Sequence, residues 1–179
     1  MSVPPLYTIG HSNRPIEELV ALLQEHHIGV LADVRSYPGS KRWPHFNRES
    51  LEATLGQAGI DYVWMKGLGG RRKSSKQDSP NTALRSEGFR NYADYMQTES
   101  FGEAIAQVLE TAQASPTAIM CAEKLFWQCH RRLISDHLTA QGVPVIHIIE
   151  AGKTQTHSLS PEAQPTEDGT VIYPSPLFS

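Results

Sequence analysis

The sequence predicts an α/β fold: an open, mostly parallel five-stranded sheet with helices on both faces, three-layered and Rossmann-like, followed by a polar C-terminal tail. Three observations carry this. Short apolar runs alternate along the chain with amphipathic stretches of helical period. The second run, VLADV at residues 30–34, is apolar almost throughout, as a strand covered on both faces must be. Gly or Pro punctuates most of the boundaries. The 179 residues, 39% apolar and 20% charged, suit one globular domain and exclude a wholly disordered chain. Residues 1–150 read as a single α/β domain and residues 151–179 as a tail or edge appendage.

Each element has its own signal. Residues 6–9, LYTI, make a first strand that stops at Gly10. Pro15 opens a helix, since its missing N–H is not needed there, and Ser12 or Asn13 is placed to cap it. Ile16, Leu19, Val20 and Leu23 give that helix one apolar face, and Gly29 follows it. After the strand at 30–34 comes a basic loop, residues 35–48, then a short helix on Leu51 and Leu55. Residues 61–65, DYVWM, form a third strand. Residues 67–82 are Gly-rich, polar and long enough for a lid. Phe89, Tyr92, Ala93 and Met96 mark one helix; Phe101, Ile105, Val108, Leu109 and Ala112 mark the next. Pro116 breaks the chain before a fourth strand at 117–121. A helix running to about residue 141 carries Leu133, Ile134, His137 and Leu138. The fifth strand occupies residues 143–149, with Pro144 at its start, where proline is tolerated. The polar tail offers residues 170–173 as one more strand.

Composition narrows the functional classes. No apolar run approaches the roughly 20 residues of a membrane helix, and residues 1–6 carry no signal-peptide pattern. Two cysteines, Cys121 and Cys129, are too few for a disulfide scaffold, so a reducing cytoplasm is expected. The net charge of −3 is unevenly spread: residues 34–90 hold eleven Lys or Arg against five Asp or Glu. That clustering, with Trp43, His45, Phe46 and Trp64 interleaved, suits a nucleotide or nucleic acid: cations pair with phosphate and aromatics stack on bases. A solvated basic loop with aromatics turned into the core is the other reading.

In open α/β sheets, ligands bind outside the carboxyl ends of the strands. Just past those ends lie His11 and Ser12, Arg35, Lys66, Glu123 and Glu150. The expectation is one pocket in which Ser12, Arg35, Arg42, His45, Gly69, Gly70 and Arg131 hold a phosphate-bearing substrate, while His11, Glu123, Cys129 and His130 supply chemistry.

The segments TIGHS (8–12), DVRS (33–36), PHFN (44–47), LGG (68–70), MCAE (120–123) and CHR (129–131) together resemble the domain of unknown function 488 family. They span nearly all of the globular part. The resemblance implies action on nucleic acids, in some members as base modification. Where the family often has an acidic residue and proline after its Cys-Ala-Glu-Lys stretch, this chain has Leu125 and Phe126.

Individual residues keep two readings. Cys129, near a helix start and beside His130, Arg131 and Arg132, is either a nucleophile with a lowered pKa or a small buried thiol. Cys121 reads as core. Glu123, after a buried strand, is either an acid/base or the partner of Arg35 or Arg131. Asp33 reads as structural, and His147 as a core histidine. Without a paired Cys-x-x-Cys, no metal is assigned, and no cofactor can be named. The functional expectation is an enzyme on a nucleotide or nucleic acid. The alternatives are a non-catalytic binding module and, more weakly, a thiol- or metal-dependent redox protein, which requires Cys121 and Cys129 to lie close together.

Overall fold

The structure, a computed structural model, describes residues 3–73 and 78–176. Six strands form one sheet: β1 (Leu6–Gly10), β2 (Val30–Asp33), β3 (Asp61–Trp64), β4 (Thr117–Cys121), β5 (Val145–Glu150) and β6 (Lys153–Thr156). Their order is β3-β2-β4-β1-β5-β6, parallel except for the β5–β6 pair. The α/β class is the expected one, with one strand more than the sequence predicts. All four residues of β6, KTQT, are exposed. Backbone pairing alone makes it a strand, and no apolar alternation announces it. Further on, β7 (Gln164–Pro165) and β8 (Val171–Ile172) pair as a separate ribbon.

Helices α1 (Ile16–Glu25) and α2 (Arg48–Gln57) cover one face of the sheet. Helices α3 (Glu87–Tyr95), α4 (Glu99–Ala114) and α5 (Arg131–Ala140) cover the other, with Val171 and Tyr173 buried among them. The split follows from the strand period of two. Ala118 and Met120 of β4 face α1 and α2, whereas Ile119 and Cys121 face α3 to α5. Ser86 and Thr98 cap α3 and α4 by accepting from the N–H groups of Phe89 and Phe101. Helix α1 has no side-chain cap. Pro15 fills the capping position, and Ser12 sits earlier in a turn with φ of 49°, its hydroxyl donating to Asn13 Oδ1. The turn is held instead by Arg14, which donates to the carbonyls of Gly10 and Ile149.

The segment at 67–82 is pinned on both sides. Leu68 is buried, and Arg72 donates to the carbonyls of Lys66 and Gly69 while its guanidinium lies 3.8 Å over the Tyr95 ring. Asn81 is buried, donating to Asp94 and accepting from Tyr173 N–H. Of the lid expected over residues 67–82, residues 74–77 lie outside the described residues.

The topology positions the site. β1 and β4 are neighbours, yet β1 leads into α1 on one face and β4 into α5 on the other. Their loops part at the carboxyl edge and leave a crevice, the usual ligand position in such sheets. Residues 122–124 cross directly over the end of β1. A Cβ on Gly10 would lie 1.7 Å from the Glu123 carbonyl oxygen. Gly10→Ala should therefore destabilise the fold by about 1–3 kcal/mol or more, because backbone rather than a flexible side chain must yield. Urea denaturation checks this, and a variant within 0.5 kcal/mol of the parent, about the usual range for surface changes, would refute the close approach.

Candidate functional site

The crevice is a cavity of about 880 Å³. Of the residues picked from the sequence, His11, Ser12, Arg35, Arg42, Gly70, Glu123, Cys129 and His130 line it. His45, Gly69 and Arg131 are not among its lining residues. His45 Nε2 instead donates to the Arg14 carbonyl and its ring packs on Phe46, tying two loops together. Gly69 gives Ser36 room, since a Cβ there would meet Ser36 Oγ at 2.8 Å.

At the floor lie two thiols. Cys121 ends β4 and Cys129 precedes α5, and their sulfurs are 2.8 Å apart, both cysteines free. Burial raises the Cys129 pKa, but several effects outweigh it and hold this thiol well below its ordinary value. The contacts with Cys121 and His130 favour its ionised form, and so does the nearby Arg131. The Arg131 backbone N–H also donates to Cys129 Sγ over 3.2 Å, at the start of α5. Burial and the bond to Cys129 push Cys121 the other way, well up. Of the two neighbouring sulfurs, Cys129 is thus the one whose surroundings favour ionisation. His130 is aimed by its other nitrogen, since Nε2 donates to the Val34 carbonyl at 2.9 Å. Gly70 makes room for the ring: a Cβ there would lie 2.6 Å from His130 Nδ1.

Arg131, behind the thiols, is 1% exposed. Among the described residues no carboxylate lies within ion-pair distance of it. Its guanidinium donates to the carbonyls of Glu123 (2.6 Å) and Lys124 (3.1 Å) and to Thr8 Oγ1 (3.1 Å), while Nε has no hydrogen-bond partner. Burial works against its charge, and the two nearby sulfurs favour it. In place of a carboxylate, the two sulfurs are what favour its charge.

From Thr8 a buried wire continues. Thr8 O–H donates to His147 Nδ1 (2.6 Å), His147 Nε2–H to His157 Nδ1 (2.8 Å), and His157 Nε2–H to Asp136 Oδ1 (2.8 Å). The direction follows from the ends: Arg131 only donates and an ionised Asp136 only accepts, so each imidazole has one tautomer. Burial, with His157 and Arg131 nearby, pushes His147 down to about 2, so it is neutral. Its ring stacks on Phe126 at 3.7 Å. Asp136 also accepts from Ser160 N–H and Tyr173 O–H. Burial opposes its ionisation, but these bonds, His157 first, hold its carboxyl below the ordinary value.

On the wall formed by β2, Asp33 clamps Arg35 through both oxygens, Tyr62 O–H donates to the same carboxylate, and Phe46 O takes another guanidinium N–H. Arg35 Nη1 is left, 3.5 Å from His11 Nε2. Burial, opposed by the Ser12 bond and helped by Arg35, lowers His11 to about 4. It is a neutral imidazole whose Nδ1–H donates to Ser12 O. Toward solvent the cations are less tied. Arg42 lies 5.3 Å over Trp43 and Arg71 5.5 Å over Tyr37, which is 71% exposed.

Two sequence expectations about placement need correction. Glu123 is exposed, because the chain turns outward after β4; it is the backbone carbonyl of Glu123 that meets Arg131, and no ion pair joins their side chains. Arg131 is buried behind the cavity and not on its rim. Sequence reading also missed the wire. His157, Asp136 and Tyr173 have no shared spacing, and Thr8 and His147 meet only through the β1–β5 register. Among the described residues, no three His, Cys, Asp or Glu side chains gather as a metal site, and no helix is long and apolar enough to cross a membrane.

A family model, Domain of unknown function DUF488, matches residues 15–138. No curated protein and no solved structure matches the chain.

Two outcomes follow from this geometry. Iodoacetamide labelling read by peptide mass should modify Cys129 before Cys121, with a midpoint well below the roughly 8.5 of a free thiol; equal labelling of both with an ordinary midpoint would contradict the assignment. Asp136→Asn should cost about 1.5–3 kcal/mol at pH 7, as loss of a charged, buried hydrogen-bond acceptor does. Because the folded carboxyl is depressed, that stabilisation is complete above about pH 4 and fades as pH falls through the folded value. Denaturation curves at pH 7 and pH 3 should therefore show the gap between variant and parent closing in acid.

Proposed function

Because the chain belongs to the DUF488 family, and the matched segment holds Cys129, His130, Arg42 and Arg71, we propose that it is an enzyme acting on a nucleotide or nucleic acid, with Cys129 as nucleophile. One observation carries the reading: a cysteine sulfur that accepts a backbone N–H at a helix start opens into a cavity whose mouth bears arginine–aromatic pairs. About 880 Å³ is within the range of small-molecule sites and holds a nucleotide. Arg42 and Arg71 take the phosphate. Tyr37 and Trp43 offer faces for base stacking. His130 holds or returns the proton of Cys129, and Glu123, solvated at the mouth, and neutral His11 are placed to move protons on the substrate. The reaction belongs in the cytoplasm, where both thiols stay reduced.

A binding module without turnover needs the arginines and aromatics but leaves the thiolate and its buried arginine without a use. Binding and turnover separate the two. Single-stranded oligonucleotides and nucleoside monophosphates should bind with salt-dependent affinity. Arg42→Ala and Arg71→Ala should each lower the salt slope by about one. Cys129→Ser should keep binding and lose any chemical change to the bound nucleotide detected by mass. Binding indifferent to salt and to both arginines would remove the substrate assignment. Unchanged turnover in Cys129→Ser would remove the nucleophile.

A further inference from the structure

The Cys121–Cys129 pair supports a second activity that needs no phosphate-bearing substrate and so stands apart from the reading above. We propose that the two cysteines form a reactive dithiol that reduces a hydroperoxide, Cys129 taking the oxygen and Cys121 resolving it as an intramolecular disulfide. Three facts converge. The sulfurs are 2.8 Å apart, closer than unbonded sulfurs pack, so a bond of about 2.05 Å needs little movement. Both line the same cavity, so a reagent that reaches one is beside the other. They differ chemically: the Arg131 N–H at the start of α5 donates to Cys129 Sγ, whereas no backbone N–H meets Cys121 Sγ among the described residues and its S–H points to the Glu123 carbonyl at 3.6 Å. Attacker and resolver are thereby assigned.

Burial selects the substrate class. Cys121 is 3% exposed and Cys129 7%. A protein disulfide is too broad to enter this crevice, and a small hydroperoxide is not. The Cys129 thiolate attacks one peroxide oxygen. An S–O bond forms, the O–O bond breaks, and the other oxygen leaves as alkoxide or hydroxide and takes a proton from water. Sulfur is oxidised by two electrons to the sulfenic acid, and the peroxide is reduced to alcohol or water. The Cys121 sulfur then attacks Cys129 Sγ. The S–S bond forms and the S–O bond breaks, with the hydroxyl leaving as water on the Cys121 proton. An external dithiol restores both thiols by exchange.

The full chain, reduced and then treated with a small excess of hydrogen peroxide, tests this by intact mass and thiol titration. The expected result is loss of two hydrogens, disappearance of both free thiols, and recovery with dithiothreitol. Cys121→Ser should stop at the sulfenic acid and take up dimedone at residue 129, while Cys129→Ser should keep its remaining thiol. If the parent protein keeps both thiols, or gains oxygen atoms without losing two hydrogens, the proposal fails, whatever the variants do. It also fails if Cys129→Ser reacts as fast as the parent. None of these outcomes depends on nucleotide binding, so this proposal and the one above fall separately.

Discussion

A guanidinium buried to 1% exposure is the constraint around which this molecule is arranged. Taking such a charge out of water costs several kcal/mol unless the surroundings replace its hydration. Proteins usually answer with a carboxylate, and Arg35 shows that answer in the same cavity, clamped by Asp33. Arg131 is met differently. Two backbone carbonyls and one hydroxyl accept from it, and the two nearby sulfurs favour its charge. The carbonyls come from residues 123 and 124, which must fold over the end of β1 to arrive, and that crossing is what requires glycine at position 10. The arginine in turn favours ionisation of Cys129. Site chemistry and fold stability are therefore one set of contacts.

The two arginine solutions have different consequences for a ligand. Arg35 has spent nearly all its donors on Asp33 and Phe46, so it shapes the wall and only adds to the burial that keeps His11 neutral. Arg42 rests on half-buried Trp43 and Arg71 on exposed Tyr37, and both keep their donors for an incoming anion. Counting cations in the sequence gives all three equal weight. Burial and pairing rank them.

Much of this was legible in the residues. The Val30 and Thr117 strands, α1 and the convergence of strand ends came from apolar periodicity and from the rule that ligands sit beyond carboxyl ends. What escaped reading lacked a local signal. β6 is polar and stabilised by backbone pairing. Glu123 follows a buried strand, which argued for burial, but a turn of one residue put its side chain outside and its carbonyl inside. Cys121 was read as core, and it is buried; its contact with Cys129 spans an irregular turn whose path no spacing encodes. His147 was read as a core histidine, and it is one, with both nitrogens bonded. That satisfaction hides its place in a chain linking opposite charges.

The hydrogen-bond wire has an uneven address in the sequence. Its cationic end and its acid, Arg131 and Asp136, lie inside the segment shared with the family, which stops at residue 138. All the groups that fix the acid, His157, Ser160 and Tyr173, lie past that point. The matched segment thus holds both ends of the wire, while Thr8, His147 and His157, which join them, lie outside it. A change at residue 157, 160 or 173 would alter the charge balance behind Cys129 without touching any residue that lines the cavity.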